Sequence, residues 1–165
     1  MTRSRFAWWG LTLLTVLVYA ALVSLGQMHL DVGDGQQPFD LRVMGYSADE
    51  AQAYLDALHP VQVTLYRGIL RLLDTIFPVM FGVWLYVSAR ALKVRQRPLI
   101  WMGPAYALVD LIENALVSRL LAGHGGVVST DLVAWASVAT QAKFTLLAIT
   151  LILLGRAGIV RWRAL

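Results

Sequence analysis

The chain has 165 residues, of which 58% are hydrophobic and only 15% are charged. Soluble domains carry about a quarter charged residues, so this composition excludes an ordinary soluble domain and indicates an integral membrane protein. The absence of cysteine excludes disulfides, thiol catalysis and iron–sulfur clusters. The formal net charge of +4 does not indicate nucleic-acid binding, because the charges are distributed as in a membrane protein.

Four apolar stretches predict an all-α, four-helix transmembrane bundle formed by residues 1–165 as one domain. Each stretch is long enough to cross a hydrocarbon core of about 30 Å. Basic residues flank these stretches on one side: Arg3, Arg5, Arg90, Lys93, Arg95, Arg97, Arg156, Arg161 and Arg163. Most of the acidic residues outside the stretches fall on the other side. By the positive-inside rule, both termini are expected in the cytoplasm, with anionic lipids contacting the basic residues.

The first helix is predicted from Phe6 to Met28 and contains no ionisable residue. It is longer than the apolar region of a signal peptide, which has about 7 to 15 residues, so we interpret it as an anchor. Trp8 and Trp9 are expected at the cytoplasmic headgroup level. We expect this helix to serve insertion and packing.

Residues 29–60 form the one sizeable segment predicted outside the membrane. Ser47 and Glu50 match a capping box and predict a short amphipathic helix over residues 48–58, which ends before Pro60. Its apolar face consists of Ala51, Tyr54, Leu55 and Leu58. This helix is interpreted either as a lid over an intramembrane cavity or as a packed surface helix, and we favour the second interpretation.

The second helix is predicted over residues 61–92 and carries one polar stripe, formed by Arg67, Arg71 and Asp74. Pro78 lacks an amide hydrogen and therefore frees the carbonyl of Asp74 from its usual donor. A kink is expected at this point.

The third helix, over residues 99–121, is apolar but has polar residues near its middle. At about 100° per residue, Tyr106, Asp110, Glu113 and Asn114 fall on one face. An aspartate at the centre of a membrane helix costs about 2.5 to 3.5 kcal/mol on insertion scales. This face is therefore expected to point towards the other helices.

The fourth helix is predicted over residues 131–154, with Thr130 as its N-cap and Lys143 near its midpoint. A rise of 1.5 Å per residue places Lys143 at a depth similar to those of Asp110 and Asp74, so these three side chains are expected to meet.

The two arginines of the second helix complete the predicted charge network. Arg71 is expected to reach Glu113, and Arg67 is expected to snorkel towards the outer interface. Three positive and three negative residues would then balance within the membrane. Such a network either fixes helix register or forms a proton relay, an ion path or a polar ligand site, and we favour a functional role.

The sequence predicts no metal site and no cofactor. Its three histidines, His29, His59 and His124, are too scattered for the short spacing typical of metal ligands. It also contains no GxSxG, HExxH or glycine-rich phosphate-binding motif.

Three parts of the chain carry a family resemblance: the segment PFDLRVMGYSADEAQAYLDAL (residues 38–58), the second helix with Asp74 and Pro78, and the motif DLIENAL in the third helix. Through them the chain resembles a family of small bacterial four-helix inner-membrane proteins whose activity is uncharacterised. This resemblance implies a location in the bacterial inner (plasma) membrane. The architecture is also similar to that of the EXPERA class of sterol isomerases and sigma-2 receptors, which hold cationic ligands or intermediates with intramembrane acids. Vitamin K epoxide reductase-like proteins share the long outer loop but work through cysteines, and this chain is not expected to act as they do because it has none.

Three functions are compatible with these features. We favour a non-enzymatic binding module or an accessory subunit of a membrane complex. The second is a lipid or isoprenoid isomerase with Asp110 and Glu113 as acid and base, which requires an apolar cavity open to lipid between helices 2, 3 and 4. The third is a proton-coupled transporter, although no inverted repeat is visible. The expected partners are membrane lipids, a membrane protein or a second copy, and a small apolar or cationic ligand; nucleic acid is not expected.

Overall fold

A computed structural model describes residues 3–33, 36–92 and 97–163, and these ranges are helical with no strand. Lys93, Arg95 and Asp34, which contribute to the predicted charge asymmetry, lie outside them. Three stretches are long and apolar enough to cross a membrane: Phe6–His29, Pro60–Ala91 and Thr130–Arg161. The helical segments are α1 (Arg3–His29), a 3-10 turn (Phe39–Leu41), α2 (Ala48–Ala57), α3 (Pro60–Leu65), a π turn (Tyr66–Leu70), α4 (Arg71–Ala91), α5 (Arg97–Ala122) and α6 (Thr130–Arg163).

Both ends of the described chain lie at the same end of the bundle. The indole Nε1 of Trp8 in α1 donates to Ser88 Oγ in α4 at 3.1 Å, and the Arg161 guanidinium in α6 donates to the carbonyl of Ala91. We call this the terminal end, and we call the opposite end, which carries residues 30–33, 36–59 and 123–129, the loop end. α5 packs between α4 and α6, whereas α1 packs mainly on α4.

α4 and α5 approach each other closely at a pair of glycines. A Cβ atom built on Gly103 would lie 2.5 Å from the carbonyl oxygen of Gly82, and one built on Gly82 would lie 2.8 Å from the carbonyl oxygen of Gly103. Only residues without a side chain allow the two backbones to come this near. This contact brings the polar face of α5 against α4.

The capping box predicted for α2 is confirmed. Ser47 Oγ accepts a hydrogen bond from the amide of Glu50 at 3.2 Å, and Glu50 Oε2 accepts one from the amide of Ser47 at 2.7 Å. The hydrogen bonds from the amide and hydroxyl of Ser47 lower the pKa of Glu50 below its usual value of 4.5. The apolar face of α2 is buried against Phe39, Leu30 and residues of α5 and α6, so α2 is a packed helix.

The helix predicted over residues 61–92 is present, but its regular backbone geometry breaks near its start. α4 continues through Pro78, and the kink expected there stays a prediction. The irregular residue is Gly68, which lies within the π turn and has a φ of −96° and a ψ of −106°. A π turn closes i→i+5 hydrogen bonds, so it changes the facing of the residues before it relative to those after it.

The last helix starts and ends differently from its prediction. Ser129 rather than Thr130 caps α6, because its Oγ accepts from the amide of Leu132 at 3.4 Å and its carbonyl accepts from Val133. α6 continues beyond Leu154 to Arg163.

Candidate functional site

The polar face of α5 is buried against its neighbours. Tyr106, Asp110, Glu113 and Asn114 are all buried, which agrees with the inward orientation expected from their spacing. The helices on either side of α5 provide the partners: α6 contributes Lys143 and Thr140, and α4 contributes Asp74. These residues form a polar cluster surrounded by apolar packing.

Lys143 is the cation of this cluster. Its Nζ lies 2.5 Å from Glu113 Oε2 and 3.5 Å from Asp110 Oδ1. The hydroxyl of Thr140, one turn earlier on α6, donates to Glu113 Oε1 at 2.5 Å. The predicted proximity of Lys143 to Asp110 is therefore present, but Glu113 is its nearer partner.

The predicted pairing of Arg71 with Glu113 is wrong. Thr140 and Lys143 already occupy the two oxygens of Glu113, and in the described residues Arg71 and Arg67 form no ion pair with an acid. Arg67 lies within the π turn and Arg71 follows it, so the single stripe expected on a regular helix does not form. Arg67 is exposed and Arg71 is half-buried, whereas Asp74 is buried.

The side chain of Asn114 on α5 provides a donor that the backbone of α4 lacks at Pro78. Its side-chain Nδ2 donates to the carbonyl oxygen of Asp74 at 2.6 Å. This is the carbonyl that Pro78, which has no amide hydrogen, leaves without a backbone donor. A buried carbonyl without a partner is costly, so α5 satisfies a hydrogen-bond acceptor that α4 cannot satisfy itself.

A cavity of about 280 Å³ lies beside this cluster. Its walls come from α1, α4, α5 and α6, and the 3-10 turn covers its loop end. Polar side chains on its surface include Asp40, Asp74, Asp110 and Lys143, and apolar and aromatic residues form most of the rest. The sequence-based hypothesis placed such a cavity between helices 2, 3 and 4 alone. α1, expected only to pack and insert, also forms one wall.

The cavity opens sideways, towards the surface that α1 and α6 present. Val16 and Tyr19 of α1 and Leu151 of α6 line the cavity, yet they are 56%, 51% and 45% exposed. α1 packs on α4 and the π turn and makes little contact with α6. A molecule dissolved in the bilayer would therefore meet the opening directly.

The charges around the cavity do not balance. Among the described residues that line the cavity, one cation, Lys143, accompanies three carboxylates, those of Asp40, Asp74 and Asp110, and the carboxylate of Glu113 lies behind them. The predicted network of three positive and three negative residues does not form within the described ranges, because both arginines lie outside it. Tyr66 donates to Asp40, but within the described ranges the Asp74 carboxylate has no hydrogen-bond or ion-pair partner. The acidic surplus can hold a cation, a hydrogen-bond donor or a proton.

The eight residues predicted for the site thus fall into three groups. Four line the cavity or its polar end: Asp74, Asp110, Lys143 and Tyr106. Two, Glu113 and Asn114, are buried behind it, and Arg67 and Arg71 lie outside it. Sequence reasoning missed Asp40, which lies in the outer loop. It also missed Tyr66, which is an uncharged residue at an irregular turn.

Comparisons with protein families, curated proteins and solved structures find no match to this chain. The arguments about function therefore rest on the geometry of the cavity and of the polar cluster.

Proposed function

We propose that this protein is a membrane-embedded binding module for an amphiphilic small molecule. The apolar part of the ligand lies against α1, α4 and α6, and its polar end, which carries a positive charge or hydrogen-bond donors, reaches Asp74 and Asp110. The observation that carries this proposal is the cavity, which combines mainly apolar walls, an acid-rich polar surface and an opening on the side of the bundle. Binding sites for small molecules commonly combine apolar walls with a few polar groups.

The polar end of the ligand decides selectivity in this proposal. Lipid tails are as apolar as the cavity walls, so moving a hydrocarbon chain from the bilayer into the cavity gains little free energy. A charge-assisted hydrogen bond to a carboxylate is stronger than a neutral one. We therefore expect the unpartnered Asp74 carboxylate to select amines over uncharged molecules of the same length.

We also propose that α5 crosses the membrane together with the three apolar stretches. α4 and α6 both end at the terminal end, so the chain between them must return to the loop end before α6 begins. α5 makes that return, and its Asp110, Glu113 and Asn114 are buried away from lipid. The concentration of basic residues at the terminal end supports a cytoplasmic location for both termini, and the resemblance described above supports the bacterial inner membrane.

Two alternatives differ from binding in their outcome. An isomerase would use Asp74 and Asp110, since Glu113 is not on the cavity surface and is paired with Lys143. A transporter needs a second exit, but between the cavity and the terminal end the described residues form an apolar cluster around Leu85, Leu99 and Leu154. Binding requires neither turnover nor this second exit.

Native mass spectrometry of the protein, extracted gently from its own membrane, tests the proposal. We expect a bound small molecule that is lost in Asp74→Asn and retained in the matched control Asp49→Asn, whose side chain is exposed on α2. A stoichiometric protein partner without a small molecule would instead support an accessory subunit. Turnover of the bound molecule would support an enzyme.

Dodecylamine and dodecanol provide defined probes in the same variants. A ligand at 100 times its Kd stabilises the folded state by about 2.7 kcal/mol, which a thermal unfolding experiment detects. We expect the amine to raise the Tm of the native protein more than the alcohol does, and Asp74→Asn to remove the difference. Absence of any shift with either probe, together with no co-purified molecule, would contradict the proposed function.

A further inference from the structure

The segment Leu41–Tyr46, which we call the docked loop, is tied to α6 at two points. The amide of Tyr46 donates to Ser137 Oγ at 2.9 Å, and the side-chain Nε2 of Gln141 donates to the carbonyl oxygen of Met44 at 2.9 Å. Ser137 and Gln141 are one helical turn apart. The loop therefore runs along the side of α6.

Gly45 allows the loop backbone to lie directly on α6. Its φ is +83°, and a Cβ atom at this position would lie 2.7 Å from Ser137 Oγ and collide with the side-chain amide of Gln141. Both the backbone conformation and the close approach therefore require glycine. At the start of the loop, Arg42 donates from Nε to the carbonyl of Gln37 at 2.8 Å and stacks over the ring of Tyr54.

The position of these contacts along α6 determines their depth. Between Asp131 and Arg156, Lys143 is the only charged residue, and residues 132–155 span about 36 Å at 1.5 Å per residue. When a hydrocarbon core of about 30 Å is centred on this stretch, Ser137 and Gln141 lie about 5 and 11 Å inside it. The docked loop follows them to the same depth.

We propose that the docked loop inserts into the leaflet at the loop end and that the side chains of Val43 and Met44 contact lipid acyl chains. Met44 is 90% exposed and Val43 is 48% exposed, so at this depth their surroundings are hydrocarbon. Irregular backbone is tolerated within a membrane only where protein or a water-filled cavity satisfies its polar groups. Gln141 and Ser137 satisfy two of them, and the loop in turn provides a partner for Gln141, a polar residue on the outer surface of α6.

This inference is independent of the ligand proposed for the cavity, since it requires only that α6 crosses the bilayer with the hydrocarbon core centred on residues 132–155. Because the chain has no cysteine, a single introduced cysteine can be labelled without interference. Met44→Cys carrying a fluorescent label is placed in phosphatidylcholine and phosphatidylglycerol vesicles that contain lipids with brominated acyl chains. Asp49→Cys, exposed on the neighbouring α2, is the control for water, and Ile152→Cys, 62% exposed on α6, is the control for lipid.

We expect quenching at Met44→Cys to be several-fold greater than at Asp49→Cys and at least as great as at Ile152→Cys, which lies about 2 Å inside the core at the terminal end. Quenching at Met44→Cys as low as at Asp49→Cys, with strong quenching at Ile152→Cys, would overturn the inference, because the loop would then lie in water. Weak quenching at Ile152→Cys would overturn it too, since α6 would not be in the bilayer.

A second substitution tests what holds the loop in place. Gln141→Leu removes the donor to Met44, and we expect it to reduce quenching at Met44→Cys while leaving Ile152→Cys unchanged. Thr145→Leu, a matched change one turn further along α6, is expected to have no effect on the loop. Unchanged quenching in Gln141→Leu would contradict the role of this hydrogen bond.

Discussion

At the scale of single residues, Pro78 leaves the buried carbonyl of Asp74 on α4 without a backbone donor, and the side-chain amide of Asn114 on α5 occupies that position. The sequence identifies the carbonyl of Asp74 as an acceptor without a backbone donor, because the missing amide hydrogen is a covalent property of Pro78. It does not identify the donor, which lies 40 residues further along the chain. Only the packing of α5 on α4 brings Asn114 to it.

A double-mutant cycle tests this pairing. Asn114→Ala removes the donor, and we expect it to lower the free energy of unfolding by about 1 kcal/mol, within the range for polar contacts between membrane helices. Pro78→Ala restores a backbone amide for the Asp74 carbonyl, so Asn114→Ala should cost clearly less in that background. Reversible unfolding in detergent measures all four proteins. Additive effects would show that Asn114 stabilises the fold by another route.

The cap of α2 predicts a dependence of stability on pH. The folded protein holds the pKa of Glu50 below 4.5, so the stabilisation by its carboxylate is fully present above that value and is lost as pH falls through the lowered pKa. Glu50→Gln does not titrate. We expect the Tm advantage of the native protein over Glu50→Gln at pH 7 to shrink below pH 4.5.

Ser47→Ala provides the comparison for this experiment, because it removes the hydroxyl from the cap. It should cost about 1 kcal/mol at pH 7. A Tm difference between the native protein and Glu50→Gln that stays constant down to pH 3 would contradict the assigned role of the carboxylate.

At the scale of helices, the regular features were predictable and the irregular ones were not. The buried face of α5 follows from a 3.6-residue period, and the start of α2 follows from local capping chemistry. The π turn at Gly68 has no comparable sequence signature, and it breaks the predicted stripe of Arg67 with Arg71 and Asp74. The wall contributed by α1 was also missed, since an apolar helix without ionisable residues gives no sequence signal that distinguishes a cavity wall from a lipid-facing surface.

The glycine contact between α4 and α5 predicts an asymmetric response to alanine. Gly103→Ala places a methyl group 2.5 Å from the carbonyl oxygen of Gly82, and overpacking of this kind costs about 1 to 3 kcal/mol. Gly155→Ala on α6 meets no atom within 4 Å and should be neutral or slightly stabilising, because alanine favours a helix by about 0.5 to 1 kcal/mol. Unfolding in detergent compares them, and equal effects would contradict the close approach.

At the scale of the whole molecule, the polar cluster makes α5 the helix whose membrane crossing is hardest to judge from hydropathy. Asp110, Glu113 and Asn114 lower its average hydropathy, so it is not among the three stretches that are apolar enough to cross. Their burial against α4 and α6 removes that cost. Whether α5 crosses therefore depends on helix packing.

The number of crossings can be tested by parity. Between Asp49 and the C-terminus the chain contains the stretch Pro60–Ala91, α5 and α6, so three crossings place these two points on opposite sides. We expect a membrane-impermeant maleimide to label Asp49→Cys in spheroplasts, and to label a cysteine appended after Leu165 only once the membrane is opened. Labelling of both in intact spheroplasts would mean that α5 does not cross, whereas the reverse pattern would keep the three crossings and invert the orientation. A wrong number of crossings and a wrong orientation therefore give different labelling patterns. The experiment thus tests separately whether α5 inserts despite its polar cluster and whether the basic residues set the orientation.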